Sequence, residues 1–197
     1  MGYQIDPTSA NCYPGTTVLV NRFGIQDENA LNQVEAVLVT ARNTEWLAAP
    51  KQDTFDFSHY CAIHQYLFSD LYNWAGKIRT IDIGKKGTAF CPVKEIPTRA
   101  FYIFQRLADF RASQHLDLDV FCFELADLYD SINLLHPFRE GNGRTQRAFF
   151  TQLAQSLGYR LDWSEVDPDL LMIATIQAAH GSMDLLENLF RTLLYKI

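Results

Sequence analysis

Twelve residues, HPFREGNGRTQR from His136 to Arg147, follow an apolar run and bring together one imidazole, one carboxylate, an asparagine between two glycines, and three arginines. Gly141, Asn142 and Gly143 read as a turn feeding a helix. Glycines tolerate positive φ and close backbone approach, so such a turn aims several N–H groups at one point, with the positive end of the helix behind them. That point suits a phosphate. Arg144 and Arg147 stand three residues apart and project from the same side of the first helical turns, where their guanidinium forks reach further phosphate oxygens. Together they suit a nucleotide polyphosphate. Glu140 puts a carboxylate beside these cations, as a hard Mg2+ ion bridging phosphate oxygens would require. His136 stands where Pro137 stops the preceding helix, and an imidazole takes up a proton near neutral pH, which makes it the natural general base.

Each part alone has an ordinary explanation. A single histidine beside a helix end is usually a hydrogen-bonded structural group, and His59, His64, His115 and His180 read that way. Gly-Asn-Gly by itself is a turn, and two arginines by themselves are a solvated helix face. It is their coincidence that favours a nucleotide site, with Phe138 a core anchor under either reading. A P-loop would place Gly-Lys-Ser or Gly-Lys-Thr here, and neither HExxH nor a Ser or Cys triad pattern is present.

The elements that must position this motif are mostly helical. Residues 1–26 carry Pro7, Pro14, Gly15 and Gly24 and predict an irregular arm, with TTVLVNRFGI packing down. Asp27 suits an N-cap for a helix through Arg42, with Leu31, Val34, Val37 and Leu38 along one face. After Pro50 the spacing of Phe57, Ile63, Leu67, Leu71 and Trp74 predicts a second helix ended by Gly76. In KIRTIDIGKKGTAFCPV the period changes. Ile78, Thr80 and Asp82 alternate with Arg79, Ile81 and Ile83, and Gly84 to Gly87 make a polar turn, so a β-hairpin is expected over 78–93. A helix from Lys94 carries Phe101, Phe104, Leu107 and Ala108. Another, starting at Asp117 or Asp119, carries Phe123, Leu125, Leu128, Ile132 and Leu135 straight into the motif. A helix from Asn142 to Leu157 ends at Gly158, and two more apolar-periodic stretches follow Pro168.

The chain of 197 residues, 48% hydrophobic, is long enough for one sizeable core, and a single all-α domain over 1–197 is expected. A net charge of -6 argues against a bulk electrostatic nucleic-acid binder and makes a local basic cluster more informative. Cys12, Cys61, Cys91 and Cys122 are scattered without CxxC or zinc spacing, and read as reduced core thiols. The first residues lack the apolar stretch of a signal peptide, Pro7 argues against myristoylation of the Met-Gly start, and no window approaches a membrane span. The expected location is the bacterial cytoplasm, or a host cell if the chain is a translocated effector.

HPFREGNGRTQR resembles the Fic family signature, HPFx[D/E]GNGRxxR, at every specified position, and IHQYLFSDLYNWAGKIRTIDI resembles the segment leading into that family's flap; the likeness extends from about Gly24 to Phe190. The resemblance implies a compact helical bundle with one hairpin. It also implies transfer of AMP from ATP to a protein hydroxyl, since the Doc-type kinases of the superfamily carry Lys where this chain has Gly143. On that pattern His136 deprotonates the hydroxyl, Glu140 holds Mg2+, and Gly141, Asn142, Gly143 and Arg144 grip the phosphates, with Arg147 on the γ-phosphate. The flap residues Thr80, Ile81, Asp82, Ile83, Gly84, Thr88 and Phe90 would dock a target segment by strand addition. Other donors (UTP, GTP or CDP-choline), or a non-catalytic nucleotide sensor, remain as alternatives, because no base-reading residue is evident.

Many members are restrained by a helix bearing [S/T]xxxE[G/N], whose Glu pairs with the last Arg of the signature. Here SMDLLEN, from Ser182, and TARNTE, from Thr40, each place the acid one residue too late, which rotates Glu187 off the required face. The resemblance therefore points to the class whose inhibitor is a separate small antitoxin protein, and to a bacterial toxin or effector domain.

Overall fold

The computed structural model describes residues 11–49, 54–85, 87–113 and 117–197. The first ten residues, with Pro7, lie outside these, as do Pro50, Lys86 and His115. From residue 11 the arm is irregular, with an isolated bridge between Cys12 and Leu19, and it docks through buried Val18 and Leu19 while the Arg22 N–H donates to the Leu71 carbonyl. Helix α1 spans Glu28–Ala48, and Asp27 caps it by accepting from the Ala30 N–H at 2.8 Å. Its buried stripe is Leu31, Glu35, Val39 and Trp46; Val37, expected on that face, is exposed.

Helix α2, Phe57–Phe68, is capped by Asp56 and stops sooner than the apolar spacing implied. The reason is local. His64 Nδ1 accepts the Gly76 N–H at 2.8 Å and draws the chain back onto the helix, so Leu71 and Tyr72 are buried from a turn rather than from a further helical turn. The hairpin is also shorter than expected: β1, Gly84–Lys85, pairs antiparallel with β2, Thr88–Ala89. The alternation before it does set the facing, with Arg79 and Ile83 buried and Thr80 and Asp82 exposed, but no ladder forms there because the Arg79 guanidinium takes the Ile81 and Cys91 carbonyls.

Helices α3, Ile96–Ala112, and α4, Leu118–Leu135, pack on one another, with Phe104, Leu107, Leu125, Leu128, Ile132 and Leu135 buried. Phe101 and Phe123, expected in the core, are exposed, their places being taken by Ala100 and by Phe121 with Cys122. Helix α5, Asn142–Ser156, packs against both α2 and α4; α6, Pro168–Ala179, and α7, Asp184–Leu193, follow. A second small ladder was not legible beforehand. Strands β3, Tyr159–Leu161, and β4, Leu194–Lys196, pair antiparallel from distant parts of the chain, with no hairpin turn to announce them.

The fold is therefore a helical bundle with a short flap. Its centre is aromatic: Tyr60 stacks on Phe138 and meets Phe149 edge-on, all fully buried. Cys91 and Cys122 are buried, Cys12 and Cys61 half-buried, and none of the four forms a disulfide. Among the described residues no helix is long and apolar enough to cross a membrane.

Candidate active site

The sequence places His136 at a helix end, and the structure shows what that end is for. His136 is the C-cap of α4 and takes the left-handed conformation, φ 41°, which turns the chain from the helix into the signature loop. Its Nδ1 donates to the Asn133 carbonyl at 2.8 Å; because a carbonyl can only accept, the neutral ring keeps its lone pair on Nε2. Burial pushes its pKa down to about 3, with the Arg79 and Lys85 charges acting in the same direction. Phe90 of the flap lies flat over the imidazole, ring centroids 3.6 Å apart and planes 10° from parallel. So Phe90, expected as a docking residue, also shields the base from solvent.

The loop after His136 is built by its own side chains. Asn142 accepts the Phe138 N–H at 2.9 Å through Oδ1 and donates Nδ2 to the Phe138 carbonyl at 2.8 Å. It is 2% exposed, so its side chain shapes the turn from within, and its expected place among the phosphate-gripping groups is one that its main chain would fill. Gly141 has φ 79°, and a Cβ there would lie 2.3 Å from Phe68 Cζ, so both backbone conformation and close approach require glycine. His64, fully buried between Phe68 and Phe138, donates Nε2 to the Glu140 carbonyl at 2.9 Å while Nδ1 accepts from Gly76. Burial holds it neutral, with a pKa near 3. Its structural reading stands, and its position makes it a support of the loop.

A cavity of about 510 Å³ opens over this loop. Its floor is His136, Glu140, Gly141, Gly143, Arg144 and Arg147; Lys85, Thr88 and Phe90 of the flap also line it, as do Leu171, Met172, Thr175 and Ile176 of α6, a mostly apolar set. The two glycines, both arginines, the carboxylate and the imidazole thus converge. Arg147 folds back so that Nη1 lies 3.6 Å from where a Cβ on Gly143 would be. Glu140 Oε1 accepts the Gly141 N–H at 2.9 Å and lies 3.6 Å from Arg144 Nη2. Among the described residues no three His, Cys, Asp or Glu side chains cluster as a ready metal cage. One carboxylate beside an anion cradle is nevertheless what Mg2+ uses when phosphate oxygens and water complete its shell.

Of the flap residues, Thr88 and Phe90 line this cavity. Asp82 does not: its Oδ1 accepts the Val93 N–H at 2.7 Å, tying the two arms of the flap together at their base. Thr80, Ile81 and Ile83 lead up to the hairpin and Gly84 opens β1, and none of the four lines the cavity.

Sequence reasoning missed Arg79. It is 3% exposed; Nε donates to the His136 carbonyl at 2.8 Å, Nη1 to the Ile81 carbonyl at 2.7 Å and Nη2 to the Cys91 carbonyl, while its own N–H donates to Pro137. One guanidinium thus fastens the flap to the base. The signal available in the sequence was a charged residue on the inward side of the 79–83 alternation.

Glu187 lies on α7 and pairs with Arg191 at 2.8 Å, and Arg191 pairs with Asp119 as well. That is a surface ion pair within one helix turn, away from the cavity-lining Arg147.

Residues 54–154 match the Fic/DOC family. The chain is 40% identical over 176 residues to the probable protein adenylyltransferase y4lH of Sinorhizobium fredii, covering 87% of this chain and 88% of that protein. It is 38% identical over 178 residues to the protein adenylyltransferase VbhT of Bartonella schoenbuchensis; the match covers 90% of this chain but spans only 37% of VbhT. Among solved structures, the BepC protein of Bartonella tribocorum with bound AMPPNP superposes with a TM-score of 0.89 at 26% identity, covering 95% of this chain and 97% of that one. The N-terminal Fic domain of a Bartonella quintana effector with bound ADP gives 0.90 at 26% identity, covering 94% of each. Signature, helical bundle, flap and relatives agree: the chain belongs to the Fic/DOC family.

Proposed function

We propose that this chain is a protein adenylyltransferase that moves AMP from ATP to a hydroxyl side chain of a target protein. The observation that carries the reading is one cavity holding both an imidazole whose Nε2 can accept a proton and, beside it, a glycine turn with two arginines. A sensor of nucleotide has no use for the first of these. The names of the two relatives and the AMPPNP and ADP bound to the two Bartonella structures support the same reading. The target oxygen forms a bond to the α-phosphorus as its proton passes to His136, and pyrophosphate departs with the electron pair of the broken P–O bond. Gly141 and Gly143 offer close backbone approach, and Arg144 and Arg147 offset the charge on the phosphates, so catalysis is positioning and charge stabilisation.

Bound Mg2+ would neutralise phosphate charge and orient the leaving group, with Glu140 as its protein ligand. Glu140→Ala should therefore weaken Mg2+-dependent ATP binding about tenfold or more, read as the loss of affinity gained on titrating Mg2+; unchanged metal dependence would refute the assignment. The flap would take an extended target segment at its edge, with Phe90 moving off His136 as the hydroxyl arrives. Transfer of label from α-labelled ATP to lysate proteins tests the activity, and mass spectrometry of a modified target distinguishes AMP from the residue left by UTP, GTP or CDP-choline.

The pairing of Glu187 with Arg191 supports restraint in trans, by a small antitoxin protein, over restraint by Glu187 itself. Because its carboxylate is engaged by Arg191, Glu187→Gly should change transfer less than about twofold, within the weak effects of surface ion pairs. A silent parent that becomes active in this variant would make Glu187 an internal inhibitor. The parent expressed alone should be active and toxic to a bacterial host.

A further inference from the structure

Glu35 is a carboxylate on the buried stripe of α1, 7% exposed, between Leu31 and Val39. Burying such a charge is costly unless both oxygens are engaged. Here they are. Arg144 Nη2 bonds Oε1, and the Tyr72 hydroxyl donates to Oε2. Tyr72 is 1% exposed and stacks on Trp74 at 4.4 Å, and burial together with the Glu35 charge raises its pKa, so it remains a donor. Arg144 in turn lies over the Phe68 ring at 4.9 Å and only 3.6 Å from Glu140. Two carboxylates thus face one guanidinium, and the buried one holds it more closely.

We propose that Glu35 is a positioning residue for the nucleotide site: it fixes Arg144 at the cavity floor and keeps that arginine from pairing closely with Glu140. The inference rests on the cavity holding the polyphosphate of a nucleotide. Without the Glu35 charge, Glu140 is the remaining carboxylate beside Arg144 and draws it across the floor, which removes a phosphate contact and encumbers the residue offered to Mg2+.

The test is a double-mutant cycle on the purified chain, with AMPPNP binding measured by calorimetry at fixed Mg2+ for the parent, Glu35→Gln, Arg144→Ala and the double variant. Glu35→Gln keeps an oxygen for Tyr72, and it should weaken AMPPNP about tenfold, the lower end of what loss of a supporting shell costs. In the Arg144→Ala background the same change should cost less than about twofold, because a residue that acts through Arg144 has nothing left to act on. Tyr72→Phe leaves the charge in place and should show a smaller loss, on the order of threefold, also absent in the Arg144→Ala background. A full tenfold loss repeated on Arg144→Ala would mean that Glu35 serves the fold alone and would overturn the proposal. So would unchanged or tighter binding in Glu35→Gln. A parent that binds no AMPPNP sinks instead the nucleotide reading on which the proposal stands.

Discussion

His136→Ala should lower label transfer from α-labelled ATP by ~10²–10⁴-fold, the usual cost of losing a general base, while ATP affinity changes by less than about threefold. The two effects separate because Nε2 accepts a proton and holds no phosphate, whereas the phosphate-facing groups come from the glycine turn and the arginines. The fold complicates the alanine. His136 is left-handed at φ 41°, and its ring packs flat against Phe90. His136→Asn therefore belongs in the same experiment, since asparagine enters the left-handed region more readily than alanine and cannot act as a base. Both variants should lose transfer and the toxicity of the parent. Transfer at the parent rate in a folded variant of either kind would remove His136 from the mechanism.

How far the site could be read in the sequence follows from how its parts are connected. His136 to Arg147 is a single loop and helix start, so its spacing alone implied the turn, the helix and the shared face of the arginines. A Gly-Asn-Gly turn at a helix start points to exposed main-chain N–H groups, Asn142 among them. What that turn does not reveal is that the Asn142 side chain bonds both main-chain groups of Phe138, four residues earlier, and so closes the loop. The flap shows the opposite limit. Period-two alternation reported correctly which side chains turn inward, but it carries no information on whether a ladder forms, and the Arg79 guanidinium pre-empts the carbonyls that a ladder would need.

What stayed hidden is contact between segments far apart in sequence. Arg79 reaches the His136 carbonyl across 57 residues, and Glu35 reaches Arg144 across 109. Neither pairing has a local signature beyond a charged residue where the pattern asks for an apolar one. In both places that mismatch marked a residue serving the site. The same reasoning explains the shortened second helix: the hydrophobic spacing from Phe57 to Trp74 was real, but His64 satisfies the Gly76 N–H and turns the chain back before the helix can continue.

Gly141→Ala should destabilise the fold by about 2–4 kcal/mol and lower the melting temperature by roughly 5–15 °C, as read by thermal or denaturant unfolding. Two costs add. An L-residue at φ 79° is strained by about 1–2 kcal/mol. The new Cβ would also lie 2.3, 2.5 and 2.9 Å from three atoms of the Phe68 ring, so one of the two must move. Phe68 is fully buried, stacked against His64 at 4.7 Å and covered by Arg144, so it has little room to yield. If it does shift, it displaces the groups that support the Glu140 carbonyl and the Arg144 guanidinium, and nucleotide binding falls with stability. Gly143→Ala is the matched control. Gly143 lies inside the first turn of α5 without positive φ, and its nearest neighbour, Arg147 Nη1, would stand at an ordinary 3.6 Å. That variant should melt within about 1 kcal/mol of the parent, since alanine is the better helix former. Equal stability in the two variants would show that the Gly141 turn relaxes freely, and the loop would then lack the rigidity that the site is argued to depend on.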